Sequence, residues 1–237
     1  MITLTFDTDH MSEARMAAFL DEVPIPGRAT IFCTQRYACL EGTHHELAPH
    51  PYLGESSDWS RELSSMRQML PHARSWRSHS CVYSHIVAEW VGKNGYECVS
   101  TQDRLYQKGN MPIRETFGVW QFPIYYMDNL DFSDQRFWGR AGRRPFEFGL
   151  IETALKEPGH YVFDFHPIHL LLNSPNFEFY AAAREGFKSE EGIASLAFSG
   201  YGVRNFYNDL IIAMRATGQI SGSLCESVPT LTEGLHA

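Results

Sequence analysis

Two carboxylates (Asp7, Asp9), three histidines (His50, His79, His166) and one arginine (Arg77) are the residues whose types and spacing could do chemistry. Side chains two apart on an extended chain point to one side, so Asp7-Thr8-Asp9 can divide labour. One carboxylate could bind a metal while the other stays free as a general base. The competing role is a turn or helix N-cap, which Asp9 could serve for the helix after Ser12. Singly, His50 or His79 reads as a structural or surface histidine; as a pair beside Asp-x-Asp they point to a metal. One carboxylate and two imidazoles leave positions open for water and substrate, as a catalytic zinc site requires. The same donors suit cobalt, nickel, manganese or ferrous iron. In Phe163-Asp164-Phe165-His166, Asp164 shares a side with His166 and could orient its imidazole, or the two could form a satisfied buried pair.

An architecture must bring these positions together. Residues 2–6 alternate and favour a strand that ends at Asp7, and Ser12 is a plausible cap for a helix through about Val23, closed by Pro24, Pro26 and Gly27. Residues 29–33, 46–48, 74–79, 96–100, 119–125 and 161–165 read as further strands. Helical spacing marks 60–70 (with Ser60 as cap), 83–94, 144–156 and 203–216. Repeated strand–helix alternation without a linker predicts parallel strands covered by helices, a barrel or a doubly wound sheet, over one domain of residues 1–237. Catalytic groups gather at the C-terminal strand ends in both architectures. Asp7, Asp9, His50, Arg77, His79 and His166 all fall at such ends, and this clustering is the main reason to expect an enzyme.

Leu4-Thr5-Phe6-Asp7-Thr8-Asp9 resembles the TFDD opening of the NodB-homology polysaccharide deacetylases, carbohydrate esterase family four. Glu46-Leu47-Ala48-Pro49-His50-Pro51 is similar to that family's second motif, Arg77-Ser78-His79-Ser80 to its arginine motif, and Phe163–His169 to its late histidine-bearing strand. The WbmS-like branch, associated with bacterial surface-polysaccharide gene clusters, is the nearest, over roughly residues 2 to 172. The resemblance implies a NodB-type distorted (β/α) barrel and hydrolysis of an N-acetyl group on a sugar with a divalent metal, zinc foremost. It implies Asp7 as base, Arg77 as its ionising partner, His166 as acid, and Asp9 and His50 as ligands. Two departures stand out. Gly54 occupies the place of the family's second ligand histidine, so His79 is expected to replace it, and Thr8 separates carboxylates that the family keeps adjacent. Tyr125–Asn129 lies where a fourth motif would supply a supporting acid, though Asp128 could equally be a turn residue.

Weaker expectations concern substrate. Tyr52 and Trp59 could stack on a sugar face, His169 could assist there, and Trp138 with Arg140, Arg143 and Arg144 could receive an anionic group. Half-buried aromatics and an exposed basic turn are the ordinary alternatives. The formal charge of −8 argues against nucleic acid as partner. Five cysteines without a Cys-x-x-Cys pair suggest reduced thiols in a cytoplasmic protein, and no run approaches the ~20 apolar residues of a membrane span. Two rivals remain: a catalytically inactive sugar-binding protein on the same barrel, and a hydrolase of another amide such as a cyclic ureide. Oligomeric state is not legible.

Overall fold

The computed structural model describes residues 1–133, 144–188 and 193–228. Its central strand is β1 (Ile2–Asp7), buried along its whole length. Leu4 and Phe6 pack outward against helices while Thr3, Thr5 and Asp7 face inward. Parallel partners flank it on both sides: β2 (Thr30–Cys33) and β3 (Glu46–Pro49) on one, β9 (Tyr161–Phe165) and β8 (Ile124–Met127) on the other, in the order β3-β2-β1-β9-β8. A second sheet runs β4-β5-β7-β6, from β4 (Ser75–Trp76), β5 (Cys98–Val99), β7 (Trp120–Gln121) and the antiparallel β6 (Ile113–Arg114).

The two sheets meet at both edges. The Arg77 N–H reaches the Pro49 carbonyl at 3.4 Å beside β3, and the chain passes directly from β7 into β8, with Phe122 N–H on Val99 O and Ile124 N–H on Gln102 O. The result is a distorted (β/α) barrel, as expected. Phe32, Ala48, Trp120, Phe122 and Val162 fill its interior, closed at the base by Leu224 and Cys225. The Leu224 N–H donates to Thr30 Oγ1 and ties this plug to β2.

Helices cover the outside. α1 (Glu13–Glu22), capped by Ser12 as expected, joins α6 (Pro167–Leu172) and α8 (Val203–Ala216) over the outer face of the five-stranded sheet. α2 (Trp59–Met69) and α3 (His85–Lys93) cover β4 and β5. α4 (Asp128–Asp131), α5 (Phe148–Lys156) and α7 (Phe177–Arg184) complete the set.

Several expectations are corrected. The cap of α2 is Asp58, whose carboxylate accepts from Arg61 N–H, not Ser60. The strand expected over 119–125 splits, because Pro123 has no N–H to give a ladder and the chain changes sheets there. The strand expected over 74–79 stops after Trp76, where Ser80 and Cys81 adopt left-handed backbone (φ 54° and 52°). The helix expected from Arg144 begins at Phe148, after Phe146 at φ 62°.

Candidate metal and catalytic site

The site lies at the C-terminal mouth of the barrel and is built around Arg77, which is fully buried. A buried guanidinium needs all its donors satisfied. Nε donates to Ser100 O and Nη2 to Ser100 Oγ; Nη1 donates to Asp7 Oδ1 at 2.8 Å and also to Asp164 Oδ1. Its plane lies 4.2 Å from the Phe32 ring centroid. Thr5 Oγ1 gives a further hydrogen bond to Asp164. Burial raises Asp164 to about 7, with Arg77 opposing and the neighbouring Asp7 adding to the rise. Asp164 therefore shares the arginine with Asp7 and does not orient His166. Strand register explains the correction: Asp164 pairs across the sheet with Thr5 and points into the interior, toward β4.

Asp9, by contrast, faces histidines. Its Oδ2 lies 3.2 Å from His50 Nε2 and 3.6 Å from His166 Nε2, and its Oδ1 lies 2.9 Å from His79 Nδ1. Ligand atoms of Asp9, His50 and His79 all fall within 4.8 Å of one another. Burial opposes ionisation of Asp9, but the His50 imidazole, its contacts with His50 and His79, and the charge of His166 hold its carboxyl below the usual range. The inserted Thr8 is buried; its N–H and hydroxyl both bond to Phe32 O, which lets Asp7 and Asp9 turn to different partners.

The donor set fits a divalent cation on two observations. His50 Nε2 and Asp9 Oδ2 are buried with no hydrogen-bond partner among the described residues, a costly arrangement unless something else binds them. His50 Nδ1 lies 3.2 Å from Arg77 O, and a carbonyl can only accept, so in the neutral ring Nδ1 carries the proton and Nε2 the lone pair. His79 follows β4 on a 3-10 turn whose next two residues are left-handed, and its N–H holds Pro51 O at 2.9 Å. Strain of this kind concentrates where a side chain must be aimed.

His166 ends β9. Its N–H donates to Asp128 Oδ2 at 2.8 Å and its Nδ1 sits 2.7 Å from Asp128 Oδ1, so Asp128 fixes the ring and directs Nε2 toward Asp9. Burial lowers the imidazole, yet the Asp128 charge and hydrogen bond outweigh it and push it up to about 10. His169, one turn into α6, is also buried; its Nδ1 is 3.2 Å from Ser174 Oγ, and burial lowers it to about 3.

The structure brings Asp7, Asp9, His50, Arg77, His79 and His166 together. Tyr52 adjoins them with its hydroxyl donated to Asp9 Oδ1 at 2.7 Å, which makes it a support for that carboxylate. Trp59 is elsewhere: Nε1–H bonds Leu53 O and its ring packs on the cluster under α2 and α3. Trp138, Arg140 and Arg143 lie outside the described residues, and Arg144 is exposed at the start of the segment leading to α5. Asp128 is the most informative residue that the sequence left open; its place at the end of β8, next to β9, was the available signal.

Two cavities open on this centre. One of about 280 Å³ touches Asp7, His79, Asp103 and His166; the other, of about 200 Å³, touches Asp9, His79, His166 and His169 and extends to α7.

The model of the WbmS-like polysaccharide deacetylase family matches residues 4–184. A Bordetella bronchiseptica protein described as a candidate polysaccharide deacetylase of O-antigen biosynthesis is similar in structure. Its TM-score is 0.73 and its identity 20%, over 89% of each chain. A candidate polysaccharide deacetylase from Mycobacterium smegmatis has a TM-score of 0.49 and 18% identity, over 94% of this chain and 92% of that one. A search of curated proteins finds no match.

Proposed function

Because the chain belongs to the WbmS-like family of polysaccharide deacetylases, we propose that it is a metal-dependent hydrolase that removes an N-acetyl group from a sugar or polysaccharide precursor. The observation that carries this reading is the pair of buried atoms His50 Nε2 and Asp9 Oδ2, without a hydrogen-bond partner among the described residues and converging beside His79. Asp9, His50 and His79 would hold the metal, zinc being the best match to two imidazoles and a carboxylate. When bound, it would supply a polarised carbonyl and an acidified water.

The chain's own groups supply the rest. Asp7, held by Arg77 at 2.8 Å through Oδ1, takes the proton of the attacking water at Oδ2. His166, kept protonated by Asp128, donates from Nε2 to the departing amine nitrogen. Tyr52 steadies Asp9 through its hydroxyl. The position four after His50 is Gly54, and His79 stands at Asp9 in place of the ligand that the family carries there. All five cysteines are free, which suits a reducing compartment such as the cytoplasm.

The test combines metal content with acetate release. Asp9→Asn and His50→Ala should purify with little metal. Asp7→Asn should keep its metal and lose about 10²–10⁴-fold in turnover. Metal affinity should weaken as pH falls, because a proton competes for His50 Nε2. Metal lost from Asp7→Asn but kept by Asp9→Asn would reverse the two carboxylate roles, and stoichiometric metal without acetate release from any N-acetyl sugar would sink the reading.

A further inference from the structure

One wall of the cavity that touches Asp9 and His169 is a face of α7. Phe177, Tyr180 and Arg184 are spaced three and four apart and so form one stripe along the helix. All three line the cavity that reaches Asp9 and His166. The stripe is continuous with the catalytic groups. The Arg184 guanidinium lies 5.9 Å from the Tyr180 ring centroid, the Tyr180 ring meets His169 edge-on at 4.4 Å, and His169 lies 5.4 Å from His166.

Arg184 makes no hydrogen bond or ion pair with a described residue. Among the described residues the carboxylate lining this cavity is Asp9, whose Oδ1 is already engaged by His79 and Tyr52. In a chain of formal charge −8, a guanidinium beside the site with no acid paired to it among the described residues needs a reason. Complementing the α7 dipole explains a basic residue somewhere in its last turn. It does not explain one on the cavity face, in line with two aromatics. Phe177, at the lip, is 53% exposed and meets the Tyr180 ring edge-on at 6.4 Å, which leaves its outer face open to the cavity mouth.

An exposed aromatic ring beside a planar cation fits one ligand chemistry: a sugar whose apolar face covers the ring and whose anionic group meets the guanidinium. We propose that α7 reads the substrate, with Arg184 binding a carboxylate or phosphate of the N-acetylated sugar and Phe177 covering its ring. The proposal rests on the deacetylase reading for the reaction, yet its selectivity can be measured without turnover.

Three ligands separate the possibilities: a neutral N-acetylglucosamine trimer, an N-acetylated hexosaminuronate oligomer, and a nucleoside-diphosphate N-acetylhexosamine. Calorimetry in an Asp7→Asn background, which blocks turnover, should show at least one anionic ligand binding roughly 10- to 100-fold tighter than the neutral trimer. Arg184→Gln should bring that ratio close to one, and Arg184→Lys should restore part of it. Preference for the uronate identifies a carboxylate, and preference for the nucleotide sugar identifies a phosphate. In the active protein, Arg184→Gln should raise KM for the anionic substrate more than it lowers kcat. Equal binding of neutral and anionic ligands, binding of none, or a ratio unmoved by Arg184→Gln overturns the proposal. Absence of acetate release with selective anion binding intact would instead overturn the deacetylase reading alone.

Discussion

The Asp128 carboxylate takes two hydrogen bonds from one residue, from the backbone N–H of His166 and from its ring nitrogen. Fixing the backbone sets where the ring begins, and fixing Nδ1 sets where Nε2 points. Both partners shift as a pair should. Against burial, His166 is raised to about 10 and Asp128 is lowered. The signs give a pH window. The stabilisation is complete between the unfolded carboxyl value near 4 and the unfolded imidazole value near 6.5, and it is lost as pH rises through about 10. Asp128→Asn should therefore destabilise the protein most near pH 6 and least near pH 10, read from urea midpoints. With His166 as the proton donor, the same change should move the alkaline limb of kcat to lower pH, because a less basic imidazole gives up its proton earlier. An unmoved limb would remove His166 from the donor role. At this scale the sequence was informative about residue types and poor about partners. Strand ends announced Asp7, Asp9, His50 and His166. Asp128 had only its strand-end position to mark it, and nothing along the chain told that Asp164 would turn to Arg77, because alternation says which face a residue takes but not what stands across it.

Elements follow the same division. β1, α1 and α8 were legible because each has one strong local signal: an alternating apolar strand, a serine cap, a fourteen-residue amphipathic run. α6 and α7 were not. Every residue of α6 is buried, so its sequence has no polar face to mark a period. Its end is fixed by packing. Asn173 takes left-handed backbone (φ 50°), its Oδ1 accepts from Arg204 N–H, and its Nδ2 donates to Phe198 O and Gly200 O. These bonds seat the start of α8 on the end of α6, so tightly that a Cβ on Gly202 would lie 2.2 Å from Asn173 O. Gly202→Ala should therefore cost about 1–3 kcal/mol, since the obstacle is backbone and cannot swing aside. Urea denaturation measures it, and a loss below about 0.5 kcal/mol would show that the two helices can slide apart freely.

Across the whole barrel, one arginine gathers groups from distant parts of the chain: Thr5 and Asp7 of β1, Phe32 of β2, Ser100 beyond β5 and Asp164 of β9. Removing it leaves two buried carboxylates facing each other, and breaking such a group by loss of one partner costs about 3–5 kcal/mol. Arg77→Met should show that loss in thermal or chemical melting, and adding Asp164→Asn should recover part of it by removing one orphaned charge. Full stability of Arg77→Met alone would contradict the account. The central pair of the first sheet has a further consequence. β1 and β9 lie side by side although Thr5 and Asp164 are 159 residues apart. A nascent chain still on the ribosome has Asp9, His50 and His79 within its first eighty residues, but its first strand must wait with one edge unpaired until β9 emerges. The groups suited to capturing an ion are thus made long before His166, the proposed proton donor, and the mouth of the barrel is completed only late in synthesis.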